Sequence, residues 1–119
     1  MLKKLHRITQ KRDFDKFFGP AFRKNRGYSA NSDNVIVKSL RNNSDISRFA
    51  FVISTKVDKR ATKRNLIKRR LREIIRLRLK KIKPGFDLLF IAQKGIVDKD
   101  YQDLDRQVEY LLKRMRMLE

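Results

Sequence analysis

The sequence has 119 residues and a formal net charge of +19, from 32 Lys and Arg against 13 Asp and Glu. This length and a hydrophobic fraction of 40% suit a single domain with one core. Because there is no cysteine, disulfides and thiolate metal sites are excluded. No apolar run approaches the ~20 residues of a membrane span, and no signal-peptide core is present near the N-terminus. We therefore expect a cytoplasmic protein, without a membrane partner, whose charge is balanced by a polyanion.

The start of the chain predicts a basic arm followed by a short helix. Residues 1–8 are basic, and we expect a flexible arm in which His6 is exposed to solvent. Thr9 can cap a helix that begins at Gln10, because its hydroxyl can accept a hydrogen bond from a first-turn amide. The Gly-Pro pair at 19–20 ends this helix.

Three phenylalanines lie on this first predicted helix. Helical spacing places Phe14 and Phe18 on one face and Phe17 to one side. Phe17 is expected in the core. Aromatic rings beside a strongly basic surface are also what single-stranded nucleic acid stacks on, so Phe14 and Phe18 have two interpretations.

The next part of the chain predicts strands. Residues 19–33 are rich in Gly, Asn, Ser and basic side chains and indicate a loop that can hold one short strand at 27–31. The β-branched run at 34–40 and the apolar run at 48–55 are strands joined by turn residues. The simplest arrangement is an antiparallel pair of these two, with the second strand central in the sheet.

The most unusual stretch is a dense basic helix predicted from Arg60 to Lys81. Fourteen Lys and Arg fall between Lys56 and Lys83, opposed only by Asp58 and Glu73. At 100° per residue its apolar side chains form one stripe that can dock on a core: Ile67, Leu71, Ile74, Ile75 and Ile82. The opposite side is polar and cationic: Asn65, Lys68, Arg69, Arg72 and Arg76. The helix therefore presents a shaped cationic surface.

A strand and a helix complete the chain. Residues 87–93 are almost wholly apolar, which indicates a strand buried on both faces. An amphipathic helix fits residues 101–117. The predicted order is α-β-β-β-α-β-α, and the class is α/β (α+β), a two-layer sandwich with a small mixed sheet, in one domain spanning residues 1–119.

No catalytic constellation is visible in the sequence. The acids at 98, 100, 103 and 105 suit the start of the last helix, where the helix dipole favours negative charge. No Gly-rich phosphate loop is present. The remaining signal is electrostatic, because neutralising phosphates releases counterions and gives salt-sensitive binding. A bulky cationic helix fits the major groove of B-DNA, whereas its pairing with an aromatic helix suits a shaped RNA with a single-stranded element.

Residues 56–73, KVDKRATKRNLIKRRLRE, resemble the signature helix of the bacterial ribonuclease P protein component. The family pattern is Arg-Asn-Arg-x-Lys-Arg followed by a further Arg. The resemblance extends upstream to Asp13, Phe14 and Phe18 and to the pair Ser54 and Lys56. It also extends downstream to DLLFIAQKG at 87–95 and to the last helix. One position departs from the pattern, since Leu66 stands where the family has its second Arg.

The resemblance implies a role for each matching residue. The residues implied to bind the catalytic RNA are Arg60, Arg64, Asn65, Lys68, Arg69, Arg72 and Arg76. Those implied to border the cleft for the 5′ leader of precursor tRNA are Phe14, Phe18, Ser54 and Lys56. The family also implies a left-handed β-α-β crossover, as in one domain of a ribosomal protein, although right-handed crossovers are the rule.

The family's chemistry belongs to its RNA with Mg²⁺, held mainly by the RNA and substrate. The resemblance therefore implies no catalytic residue and no metal ligand on this chain, which would act as a monomer with RNA partners. A structural ribosomal protein is the alternative from another class. A DNA-binding helix protein and a free-standing nuclease are weaker alternatives.

Overall fold

The computed structural model describes residues 2–119; Met1, the first residue of the expected arm, lies outside them. The regular elements are α1 (Lys11–Asp15), α2 (Pro20–Lys24), β1 (Tyr28–Asn31), β2 (Val35–Arg41), β3 (Arg48–Val52), α3 (Ala61–Arg78), β4 (Phe86–Ala92) and α4 (Tyr101–Arg114). Short 3-10 turns lie at Lys4–His6, Leu79–Lys81 and Ile96–Asp98. The predicted α+β class with a small mixed sheet is confirmed.

The sheet has the strand order β1-β2-β4-β3, which corrects the expected pairing of β2 with β3. β4 lies between them, antiparallel to β2 and parallel to β3. The physical reason is burial, because β4 is apolar on both faces and takes the centre. β3 is an edge strand rather than a central one. α3 connects β3 to β4, and the left-handed sense of this crossover stays a prediction.

One face of the sheet is covered by α3 and α4, and the main core lies between them. The predicted stripe of α3 is confirmed, with Ile67, Leu71, Ile74 and Ile75 all buried and Ile82 buried after the helix. The sheet side chains that meet this layer are Val35, Val37, Phe49, Phe51, Leu88 and Phe90. Each buried side chain of this size contributes about 1.5–3 kcal/mol, so the apolar side of α3 is a major source of stability.

The opposite face of the sheet is covered only in part. Phe17, Leu40 and Leu89 form a small buried cluster there, with Val52 and Ile91 packed at its margin. Phe17 is fully buried, as predicted. Because α1 and α2 are short, they leave the rest of this face open as a cleft.

The segment expected to be a flexible arm is instead docked on β3. Leu2 is 1% exposed in the main core, and the amide of Ile8 donates to the carbonyl of Phe49 over 3.0 Å. His6 is half-buried, with Nδ1 2.9 Å from the carbonyl oxygen of Ser47, so the expectation of an exposed histidine is wrong. An edge strand exposes unpaired backbone groups, and this segment satisfies some of them.

Two details of the first helical region also differ from expectation. α1 begins at Lys11 with Gln10 at the N-cap position and no side-chain cap, so Thr9 does not cap it. Pro20 starts a second short helix as well as ending the first, because proline is well suited to a first helical turn. This helix was missed because a Gly-Pro pair was interpreted only as a stop.

A network of ion pairs connects α1 to the sheet. Arg48 Nη2 lies 2.6 Å from Asp87 Oδ2, and its Nη1 lies 3.3 Å from Asp13 Oδ2. Asn42 donates to the other oxygen of Asp87 over 2.9 Å. The Asp87 carboxylate raises the pKa of Arg48. The buried carboxylate of Asp87 is therefore fully compensated.

Replacing Arg48 by Met should destabilise the fold by about 3–5 kcal/mol, because it leaves the Asp87 carboxylate buried without its cation. Urea denaturation of the full chain measures this free energy. Lys16→Met is the matched control, since Lys16 lies 3.9 Å from Asp13 at the surface and should cost less than about 0.5 kcal/mol. Equal losses in the two variants would show that the network does not stabilise the fold.

Candidate nucleic-acid interface

The loop before α3 is organised by one carboxylate. Asp58 accepts a hydrogen bond from the backbone N–H of Arg60 over 2.8 Å and pairs with the Arg60 guanidinium, with Oδ2 2.8 Å from Nη2. Arg64 reaches back from the first turn, and its Nη1 donates to the carbonyls of Asp58 and Lys59 over 2.9 and 2.8 Å. These bonds set the direction in which the basic helix leaves the loop.

Four of the predicted RNA-binding residues line one groove on the outer side of α3. Asn65, Lys68, Arg69 and Arg72 surround a concavity of about 440 Å³, together with Thr62. Within residues 2–119, no carboxylate pairs with these three cations. Partial burial is the main cause that lowers the pKa of Arg72, and repulsion from the cation of Arg7 adds to it. The repulsion from Arg7 indicates a region of positive potential. We call this surface the α3 groove.

The other three predicted RNA-binding residues, one at the N-cap position of α3 and two within the helix, also make contacts within the protein. Arg60 pairs with Asp58, and Arg64 bonds to loop carbonyls as described. Arg76 pairs with Glu73, with Nη2 2.5 Å from Oε1, and this carboxylate raises the pKa of Arg76. Leu66, the departure from the family pattern, is half-buried on the flank of the helix.

A second group of predicted residues borders the open face of the sheet. The rings of Phe14 and Phe18 are 5.4 Å apart, and Phe18 is 42% exposed while Phe14 is partly buried. Lys38 Nζ lies 4.8 Å from the centroid of the Phe18 ring and 5.2 Å from that of Phe22. The structure thus places a cation and an exposed ring side by side.

Sequence reasoning missed Lys38. Its signal was the alternation along β2, where Val35 and Val37 are buried and Lys38 projects to the other face. The strand was recognised, but the face on which Lys38 lies could not be assigned before the partners of β2 were known.

Ser54 and Lys56 lie at the far end of the same cleft. They line a hollow of about 450 Å³ with Val52, Val57, Ile91, Ala92, Gln93 and Lys94, beyond the C-terminal ends of β3 and β4. Val52 and Ile91 also pack against the small buried cluster of Phe17, Leu40 and Leu89. The cleft therefore runs from Phe18 to Lys56 and is open, apolar at its base and cationic at both ends.

Within residues 2–119, no group of three or more His, Cys, Asp or Glu could hold a metal ion. The acids at the start of α4 have other contacts: Asp100 caps the helix by accepting from the amide of Asp103, and Asp103 pairs with Arg106. Asp105 lies 2.6 Å from Arg78, which joins α4 to α3. None of the helices in the described part of the chain is both long and apolar enough to cross a membrane.

The α3 groove and the cleft are both basic surfaces that suit a polyanion. They place this chain in the class of small basic domains that bind polyanions. The family model for ribonuclease P matches residues 2–116. The chain is 32% identical over 117 residues to the ribonuclease P protein component of Alkaliphilus oremlandii, covering 98% of this chain and 96% of that protein. The chain therefore belongs to the ribonuclease P protein family, which gives it a role in a tRNA-processing enzyme.

Solved structures agree with this assignment. The RNase P protein from Thermotoga maritima is similar with a TM-score of 0.77 and 31% identity, over 91% of this chain and 96% of that one. A mutant RNase P protein of Staphylococcus aureus, described as defective in mRNA degradation, has a TM-score of 0.84 and 25% identity, over 97% and 92% of the two chains. The resemblance identified from the signature helix is confirmed.

The contacts of Asp58 give a pH prediction. Hydrogen bonds from Arg60 lower the pKa of Asp58 from 3.8 to about 2. Because the pKa of Asp58 is lower in the folded protein than in the unfolded chain, its ionised carboxylate stabilises the folded loop at pH values above the unfolded-state pKa. This stabilisation is lost as the pH falls through the folded-state pKa. NMR titration of the Asp58 carboxyl should therefore show a midpoint near pH 2, and the Arg60 amide should shift with it. A titration midpoint near 3.8 would contradict this arrangement. So would an Arg60 amide signal that still moves with pH in the same way in the Asp58→Asn variant.

Proposed function

We propose that this chain is the protein subunit of the ribonuclease P ribonucleoprotein and binds both the catalytic RNA and precursor tRNA. The α3 groove contacts the RNA subunit, and the cleft holds the 5′ leader. The protein thereby assists endonucleolytic removal of the leader. The observation that carries the proposal is the α3 groove, where four side chains from one helix converge without an acidic partner in the described chain.

The α3 groove supports RNA binding through its geometry as well as its charge. Arg69 and Arg72 offer planar guanidinium groups that can bind phosphate through two parallel hydrogen bonds. Lys68 adds a point charge, and Asn65 can donate to or accept from a base edge or a ribose hydroxyl. Arg64 uses only Nη1 for its bonds to the loop. Arg60 and Arg76 would contact RNA by exchanging a carboxylate partner for a phosphate.

The cleft supports binding of an extended single strand. Bases stack on exposed rings, and Phe18 offers one beside the ammonium group of Lys38. Ser54 and Lys56 can then hold the backbone at the other end of the cleft. An open, shallow surface of this kind suits a leader of varied sequence, because stacking does not depend on base identity.

Mg²⁺ enters this proposal through the RNA. The donor set of this chain does not fit a resident magnesium site, since Asp100, Asp103 and Asp105 serve as a cap and as ion-pair partners. We propose that the RNA and the substrate hold Mg²⁺ and that this chain contributes no ligand to it. The protein subunit acts in the cytoplasm as a monomer and supplies cations and a binding surface for the substrate.

Replacing Arg69 and Arg72 together by Ala should weaken binding to the family's catalytic RNA by about 10–100-fold. The slope of log K against log salt should become less negative by about 0.9 for each phosphate that the variant no longer neutralises. Filter binding at a series of KCl concentrations measures both quantities. Lys80→Ala with Lys113→Ala is the control with the same charge change, because both residues are exposed and lie outside the groove. If both double variants showed the same reduction in affinity and slope, the groove would not be an RNA-binding site.

Phe18→Ala should reduce the affinity of the assembled enzyme for precursor tRNA with a long leader by about 5–100-fold, the range expected for one base–aromatic stack. Affinity for tRNA without a leader should not change, and thermal stability should fall only slightly, because the ring is 42% exposed. Tyr110→Ala removes an exposed ring outside the cleft and serves as control. Loss of stability with intact leader affinity would assign Phe18 to packing alone.

A further inference from the structure

A second basic groove lies outside the surfaces described so far. It is a concavity of about 260 Å³ with a buried floor formed by Leu40, Met115 and Met117. Its polar and aromatic lining residues are Arg26, Tyr28, Ser39, Arg41, Lys83, Phe86 and Arg116. No Asp or Glu lines it, and none of its four cations pairs with a carboxylate within residues 2–119. We call it the distal groove.

The strand register shows that this groove is separate from the cleft end at Ser54 and Lys56. Arg41 pairs with Phe86 at one end of the β2–β4 ladder, and Val35 pairs with Ala92 at the other. Ser54 and Lys56 follow the end at which Val52 pairs with Ile91. The distal groove and this hollow are therefore at opposite ends of the sheet, and the distal groove shares no lining residue with the α3 groove.

Two of its arginines occupy backbone positions that normally favour glycine. Arg26 follows α2 with φ of 57°, and Arg116 follows α4 with φ of 58°. In each case the next backbone amide donates a hydrogen bond to a carbonyl of the preceding helix. The Gly27 N–H donates to the Phe22 carbonyl over 2.8 Å, and the Met117 N–H donates to the Leu112 carbonyl over 2.8 Å. This is the Schellman arrangement, whose left-handed residue is usually Gly. Arginine is conformationally costly at both positions, and both arginines face the same groove, which favours a binding role.

The aromatic walls indicate the kind of ligand. The Arg41 guanidinium carbon lies 5.3 Å from the centroid of the Phe86 ring, so this cation is held in place over an aromatic face. Tyr28 is 49% exposed at the start of β1. Cations beside the exposed ring of Tyr28 suit a nucleic-acid strand, because its phosphates can pair with the cations and a base can stack on the ring. An acidic peptide would use the cations and leave this ring unused.

We propose that the distal groove is a second RNA-binding surface, which holds the phosphates of a single-stranded segment while a base stacks on Tyr28. This goes beyond the proposed function, which uses the α3 groove and the cleft. Its four cations can neutralise several consecutive phosphates, and its apolar floor can exclude water beneath a base.

The test uses the full chain carrying Arg69→Ala, Arg72→Ala and Phe18→Ala, so that the α3 groove and the cleft both contribute little to binding. The probe is fluorescein-labelled decauridylate, measured by anisotropy over a series of KCl concentrations. Arg26→Asn with Arg116→Asn should lower affinity at least about fivefold and make the salt slope less negative by about 1.4, or ~0.7 for each single-strand phosphate. The melting temperature should stay the same or rise, because Asn tolerates the left-handed region better than Arg.

Three comparisons make the outcome decisive. Lys80→Ala with Lys113→Ala removes the same charge and should change affinity less than about twofold; a loss equal to that of the groove variant would overturn the proposal. Tyr28→Ala should lower affinity about fivefold while Tyr28→Phe restores it, and a phenylalanine variant as weak as the alanine variant would refute stacking. Deca-glutamate that competes as well as decauridylate would identify a peptide surface instead. Failure here leaves the proposed function intact, because the α3 variants test it through different residues.

Discussion

The packing of α3 on the sheet is the interaction on which the rest of the structure depends. Four isoleucine and leucine side chains of this helix are buried, and together they stabilise the fold by roughly 6–12 kcal/mol. This packing fixes the rotation of the helix, so Asn65, Arg69 and Arg72 must face outward. The same packing closes the β3–α3–β4 unit and places β3 parallel to β4. The site is thus a direct consequence of the core.

A net charge of +19 opposes a compact state, and the placement of the acids shows how the fold accommodates it. Asp87 and Asp13 pair with Arg48, and Asp105 and Glu109 pair with Arg78. These pairs join elements that are distant in sequence. The cations of the α3 groove and of the distal groove have no such partner among residues 2–119. These four acidic residues therefore stabilise the scaffold and leave the cations of the two grooves available to an anion of another molecule.

Sequence periodicity was enough to predict α3, its buried stripe and the burial of β4 on both faces, because these depend on local pattern. The strand order was not predictable in this way, since the insertion of β4 between β2 and β3 depends on pairing across the whole chain. The docking of Leu2 and Ile8 was missed for the same reason, because only the edge of β3 gives this segment a partner. Within the site, the pairing of Arg60 with Asp58 and of Arg76 with Glu73 could have been suspected from their spacing, whereas Lys38 required the fold.

We propose that this basic domain acts by assisting a catalytic RNA. The most direct measurement is cleavage of precursor tRNA by the family's RNA subunit at low Mg²⁺, with and without this protein. We predict that the protein stimulates removal of the 5′ leader and that the stimulation falls in the Arg69→Ala/Arg72→Ala variant. Cleavage that is the same with and without the protein, or cleavage by the protein free of RNA, would contradict it.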